Sequence, residues 1–225
     1  MPYRSTRTVS SFRVRVLRSR RLAGDVFEVE LERPDGFRFR AGQSITVHVG
    51  GAARDYSLCN AESADTLLLL ARRIAGGVAS PLLCDSAPGA IFDISGPNGM
   101  FTIALSDLPA VLTANGVGIA PFLSWLRSQA PGPAAPVTLL HGVRRAEDLL
   151  SADELRAGCR QYVPCVSREK ADGCHYGRVT DWSRDKLSPA GHDFYLCGSR
   201  QMTRDMILLV DERFPGSRVH TEIFF

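Results

Sequence analysis

The 225-residue sequence predicts a small antiparallel β-barrel followed by an α/β half built on a parallel sheet. Three observations carry that expectation. From Phe12 to about Ile103, short runs alternate apolar and polar residues and are separated by glycine and proline. After about Ser106, short apolar runs alternate with stretches of helical period, the rhythm of a parallel sheet with helices on both faces. The first apolar run of this second half leads into the helix that follows it through a glycine-rich turn, Gly116-Val117-Gly118-Ile119-Ala120-Pro121. Such a turn is typical of a Rossmann-like arrangement.

In the first half, Phe12, Val14 and Val16 alternate with arginines, as in a half-buried strand. Val26 to Leu31 alternates again, with Glu28 and Glu30 expected outward. Ser44 to Val49, Thr66 to Arg72 and Ala90 to Ile94 continue the series, and Arg54 to Ser57 reads as a strand end. Pro34-Asp35-Gly36, Gly50-Gly51 and Pro88-Gly89 supply the turns. These runs are expected to close into a six-stranded antiparallel barrel. The one helix start in this half is at Ser80, read as an N-cap with Pro81 at N1.

In the second half, Ala110 to Thr113, Val137 to Gly142, Tyr162 to Ser167 and Asp193 to Cys197 read as strands. Pro121 to Arg127, Ala146 to Cys159 and Gln201 to Arg213 read as helices, the last turning Met202, Met206, Leu209 and Val210 inward. The boundary is placed between domains 1–105 and 106–225.

Composition narrows the function classes. A net charge of +3 is too small to argue for nucleic acid. No apolar run approaches the ~20 residues that span a bilayer, so no membrane partner is expected. Met1 to Ser10 is polar and basic, unlike a secretory signal, and reads as a frayed arm. The six cysteines show neither C-x-x-C spacing nor the C-x4-C-x2-C cluster of a plant-type [2Fe–2S] centre. Cys159, Cys165 and Cys174, even with His175, fit no structural zinc pattern. A reduced, cytoplasmic setting with no metal site is expected.

The chemistry-bearing residues fall into short motifs. Arg54-Asp55-Tyr56-Ser57 offers a guanidinium for a phosphate, a ring for stacking and a hydroxyl. Its plainer reading is a strand with a surface arginine and a half-buried tyrosine. Gly76-Gly77-Val78-Ala79-Ser80 puts two glycines before a hydroxyl at a helix start, where amide groups can hold a phosphate, with Arg72 or Arg73 adding charge. Gly116, Val117 and Gly118 form the glycine-rich turn, preceded by Thr113. Tyr195-Leu196-Cys197-Gly198-Ser199 puts a thiol at a strand end where parallel sheets bind ligands, although a buried cysteine is often only a small apolar residue. Ser167-Arg168-Glu169 and Gly177-Arg178 place a hydroxyl and two arginines where a nucleotide 2′-phosphate can be bound.

The order and spacing of these motifs resemble the ferredoxin–NADP reductase superfamily of flavoproteins, from about Ser11 to Phe225. Further marks are Phe39-Arg40-Ala41-Gly42-Gln43, Gly96-Pro97-Asn98-Gly99-Met100-Phe101 and the terminal pair Phe224-Phe225. The resemblance implies that Arg54 pairs the flavin phosphate, Tyr56 stacks on the isoalloxazine and Ser57 meets its N5 edge. Arg72, Gly76, Gly77, Val78 and Ser80 would complete the phosphate site. Thr113, Gly116, Val117 and Gly118 would meet the nicotinamide nucleotide, and Ser167, Arg168 and Arg178 its 2′-phosphate. The turn departs from the family at Asn115, where glycine is usual; asparagine tolerates positive φ better than most residues. Cys197 would face the nicotinamide C4, Glu222 would lie in a proton path near the flavin, and Phe225 would cover the flavin face.

The implied activity is hydride transfer from NADPH to FAD, then release of single electrons to an external iron–sulfur protein such as ferredoxin. NADH and FMN stay open as alternatives. Arg13, Arg15, Arg18, Arg20 and Arg21 could form a docking face or be a solvated strand face. Two other readings are carried: an NADH-dependent reductase component of a multicomponent oxygenase, and a non-catalytic flavin- or nucleotide-binding regulatory module.

Overall fold

A computed structural model of the chain describes residues 10–224. Residues 1–9, most of the arm read from the sequence, and Phe225 lie outside the described residues. Two six-stranded sheets organise the rest.

The first sheet is antiparallel and contains β1 (Ser11–Ala23), β2 (Val26–Glu32), β3 (Ser44–Val49), β4 (Ala52–Ser57), β5 (Thr66–Arg72) and β6 (Ile91–Asn98). Their order is β4-β3-β6-β1-β2-β5, and a Leu58–Leu69 bridge ties the end of β4 to β5, curling the sheet into a barrel. Alternate residues point inward: Val14, Val16, Val29, Leu31, Ile45, Val47, Leu67, Leu69 and Ile94 form one apolar interior. A short helix, α1 (Ala79–Cys84), plugs it with Leu83 and Cys84.

One expectation is met only in part. Glu28 lies on the outer face of the barrel as expected but is buried there, where Arg20 Nε donates to its carboxylate at 2.7 Å and Arg18 lies 3.4 Å away. The β1 arginines form an exposed strand face whose charge is shared with acids: Arg13 pairs Asp93, Arg15 pairs Glu32, and Arg18 also reaches Glu30. Arg21 donates to the Gly24 carbonyl. Antiparallel pairing brings the acids of β2 and β6 within reach of four of these five arginines.

The second sheet is parallel: β7 (Ala110–Asn115), β8 (Ala135–Val143), β9 (Cys159–Val166), β10 (His175–Tyr176), β11 (Asp193–Ser199) and β12 (Arg218–Phe224), in the order β10-β9-β8-β7-β11-β12. The chain winds outward from β7 in one direction, then returns to its other side as β11, leaving a topological switch point between β7 and β11. The β7 and β11 side chains divide by period 2. Ala110, Leu112, Ala114, Tyr195 and Cys197 pack against α2 (Ala120–Arg127), α3 (Ala152–Gly158) and the barrel's Phe101. Val111, Phe194 and Leu196 pack against α4 (Val179–Lys186) and α5 (Arg200–Arg213) on the opposite face.

The segment between the sheets is held by polar contacts. Tyr195 Oη donates to the Ala104 carbonyl at 2.7 Å, and Arg218 Nε and Nη2 bond the buried Asp193 at 2.6 and 2.8 Å.

The helix expected from Ala146 to Cys159 is instead a 3₁₀ turn, Ala146–Asp148, followed by α3. Ser151, at φ 51°, interrupts it in a left-handed conformation that no helix continues through. Helix α4 and strands β10 and β12 are additions to the sequence reading.

Candidate active site

The three motif groups converge where the barrel meets the carboxyl ends of the parallel strands. Register places Cys197 of β11 beside Ala114 of β7 and beside Glu222 of β12. Glu222 in turn accepts a hydrogen bond from Ser57 Oγ of β4 at 2.9 Å, across 165 residues of sequence. That bond joins the barrel to the last strand at the point where a thiol, a hydroxyl and a carboxyl meet. Burial pushes the Glu222 carboxyl up from its ordinary range, and the Ser57 hydroxyl opposes this. Burial, with Glu222 adding to it, also holds the Cys197 thiol well above its usual value, so it stays protonated. A protonated, fully buried thiol is a neutral packing surface rather than a nucleophile.

On β4, Tyr56 is half-buried and Arg54 is exposed; among the described residues Arg54 Nη1 donates only to the adjacent Ala53 carbonyl, 2.7 Å away. Gly76, at φ 74°, opens the turn before α1. Ser80 does not cap α1. The N-cap position is Val78, and the buried Ser80 hydroxyl instead accepts the Ile74 N–H at 3.0 Å, cinching the turn. Gly77 and Val78 thus stay at the open end of the turn, Val78 largely exposed. This donor set fits a flavin phosphate: an exposed guanidinium two and three residues before a tyrosine and a serine on one strand, together with the glycine turn before α1.

The parallel half carries a cleft of about 470 Å³ over the ends of its strands. Gly116, Val117, Ser167 and Arg178 line it, as does Arg72 reaching over from β5. Gly116 has φ 54°, a left-handed conformation that favours glycine, and Arg72 Nη2 lies 3.1 Å from where a side-chain carbon there would stand. Arg72 Nε stands 3.4 Å from Asp25 Oδ1, an ion-pair distance without hydrogen-bond alignment, and that buried nitrogen has no hydrogen-bond partner among the described residues. The buried Thr113 hydroxyl is equally without one. A cleft with an exposed guanidinium at Arg178, a second arginine at Arg144 and amides at a glycine turn fits a phosphorylated dinucleotide.

Arg168 is placed apart from that lining. Its side chain is exposed and its N–H donates to the Arg144 carbonyl at 3.0 Å. Arg144, in the segment after β8, lines the cleft and was not singled out in the sequence. Neighbouring acids, Asp148 and Asp205, temper the charge, and Arg178 approaches Asp205 at 3.9 Å.

Asn115 also departs from expectation. Its φ is −131°, in extended conformation, and the positive φ falls on Gly116 at 54°. The asparagine is used as a staple: Oδ1 accepts the Ser199 N–H at 2.8 Å and Nδ2 donates to Ser199 Oγ at 3.0 Å. It occupies the space that a side chain on Gly198 would need. Gly118, next in the turn, packs against the Cys197 and Gly198 backbone.

A family model for an oxidoreductase FAD-binding domain matches residues 15–103, and one for an oxidoreductase NAD-binding domain matches residues 112–207. Ferredoxin–NADP reductase B of Sorangium cellulosum is 37% identical over 158 residues, covering 66% of this chain and 65% of that protein. The reductase subunit of an aromatic O-demethylase from Amycolatopsis is 33% identical over 239 residues, covering 98% of this chain and 71% of that protein. The solved structure of an Amycolatopsis cytochrome P450 reductase superposes with a TM-score of 0.86 at 32% identity, over 96% of this chain and 70% of that one. The matches with this chain span 65%, 71% and 70% of the length of these three proteins, respectively. With both halves matched and the site assembled between them, the chain belongs to the ferredoxin–NADP reductase superfamily of FAD- and NAD(P)-binding oxidoreductases.

Proposed function

We propose that the chain is a flavin reductase that takes electrons from NADPH through bound FAD and delivers them singly to an external iron–sulfur protein. The observation that carries this reading is the Ser57–Glu222 hydrogen bond, made beside Cys197 at the junction of the two halves. Bound FAD supplies the conversion from two-electron to one-electron transfer.

The residues of this chain bind, orient and shield. Arg54 and the Gly76–Gly77 turn hold the flavin phosphate, and Tyr56 stacks on its ring. Ser57, hydrogen-bonded to Glu222, is held with its hydroxyl at the flavin edge. Glu222, whose pKa is raised by burial, is placed beside Ser57 to hand a proton on toward the flavin edge. Cys197 and Gly118, both fully enclosed, form a dry floor under the nicotinamide. Arg144, Ser167 and Arg178 select the 2′-phosphate of NADPH.

The test is an anaerobic titration of the flavin-loaded protein. NADPH is expected to bleach the flavin absorbance, and replacing both Arg144 and Arg178 with alanine should raise the KM for NADPH while leaving NADH nearly unchanged. A flavin that neither nucleotide bleaches would refute the reading and favour a binding module. The 33% identity over 98% of the chain to an oxygenase-type reductase subunit favours a second reading for the acceptor alone: an oxygenase component reduced directly.

A further inference from the structure

His141 sits in the middle of the parallel sheet, on β8, and is completely shielded from solvent. Nothing in the reading above uses it. Both ring nitrogens are nevertheless engaged. Nε2 lies 3.1 Å from the Gly116 carbonyl oxygen, and Nδ1 lies 3.3 Å from the Tyr162 hydroxyl of β9. A carbonyl oxygen can only accept, so Nε2 carries the proton. Nδ1 is then the acceptor and Tyr162 donates to it. This is the only neutral tautomer that satisfies both contacts. Burial enforces neutrality by lowering the imidazole pKa to about 4, against a smaller opposing effect of the Gly116 bond. The far end of the relay is braced as well, with the Arg156 guanidinium 5.9 Å over the Tyr162 ring.

The residue at the receiving end matters. Gly116 has φ 54°, begins the 3₁₀ turn Gly116–Ile119 and lines the nucleotide cleft. A trans peptide is planar, with its C=O and N–H on opposite sides. Pinning the Gly116 carbonyl against His141 therefore turns the Val117 N–H away from β8. Glycine is the residue most able to rotate this peptide, so the orientation needs an outside hold. We propose that His141 is a positioning residue for the dinucleotide turn: it donates to the Gly116 carbonyl and so holds the Val117 amide in the orientation that receives the nucleotide.

The proposal rests on the reading of the cleft as the nicotinamide nucleotide site. It is tested with flavin-loaded protein and NADP+, so that binding is measured by calorimetry without turnover. In His141→Gln the amide nitrogen is four bonds from Cα, as Nε2 is, and can still donate to Gly116. In His141→Asn it is three bonds away and cannot. The Kd for NADP+ should rise about tenfold in His141→Asn and stay within about threefold of wild type in His141→Gln. Flavin content and flavin spectrum should be unchanged in both, because both hydrogen bonds of the relay are made within the α/β half. Tyr162→Phe, which keeps the ring and removes the donor to Nδ1, should show an intermediate rise of about threefold with a wild-type melting temperature. It decides the matter if the asparagine variant does not fold. Equal affinities in the glutamine and asparagine variants, or an unchanged Kd in Tyr162→Phe, overturn the proposal. Failure of wild type to bind either NADP+ or NAD+ overturns the nucleotide reading along with it.

Discussion

Lowering the pH from about 7 to about 5 should cost this protein about 2 kcal/mol of stability through His141 alone. The ring is fully enclosed, and burial brings its pKa in the folded state down to about 4. In the unfolded chain it returns to about 6.5. Because the folded value is the depressed one, unfolding takes up a proton between about pH 4 and about pH 6.5. The contribution is therefore complete above about pH 6.5 and is lost as the pH falls toward 4, amounting to about 3.5 kcal/mol in all, from a pKa difference of about 2.5 at about 1.4 kcal/mol for each whole pKa step. Both tryptophans, Trp125 and Trp182, lie in the α/β half that holds His141, so urea unfolding followed by tryptophan fluorescence reports that half directly. His141→Gln cannot titrate. Subtracting its pH dependence from that of wild type removes what the carboxylates contribute. The reasoning is refuted if wild type and His141→Gln lose the same stability between the two pH values.

Three further outcomes follow from the site. Arg54→Ala should purify largely without flavin, since a lost charge-assisted phosphate contact costs about 1.5–3 kcal/mol; flavin content per chain measures it, and full yellow protein would contradict the assignment of β4. Cys197→Ser should slow single-turnover flavin bleaching by NADPH while the flavin spectrum stays normal, with kcat falling more than KM rises; a wild-type rate would make Cys197 a packing residue only. Gly118→Ala places a methyl group against the Cys197 carbonyl, a backbone atom that cannot swing aside, and should cost about 1–3 kcal/mol or more. It should also weaken nucleotide binding while leaving flavin content intact, and a variant with wild-type melting temperature and affinity would show that the turn tolerates the group.

Much of this molecule is legible along the chain. The two hydrophobic periods place ten of the twelve strands, and residue chemistry marks Arg54, Tyr56, Ser57, the Gly116–Gly118 turn and Cys197, because each signal lies within a few consecutive residues. Strand β12 escaped because Arg218 to Phe224 has no strict alternation, so Glu222 could be matched to the family but not set in a sheet. The α3 region reads as one long helix because helical period says nothing about a left-handed residue such as Ser151.

What only the tertiary structure decided are the pairings across long separations. Ser57 meets Glu222 because sheet order puts β12 at the edge of the α/β half that faces the barrel. Arg144 rather than Arg168 lines the cleft because of where the chain leaves β8 and β9. Asn115 staples Ser199, and His141 holds Gly116, because parallel register sets the ends of β7, β8 and β11 level with one another. Local sequence determines which face of an element a side chain occupies. The partner that face meets depends on strand order and register, which are properties of the whole packed sheet.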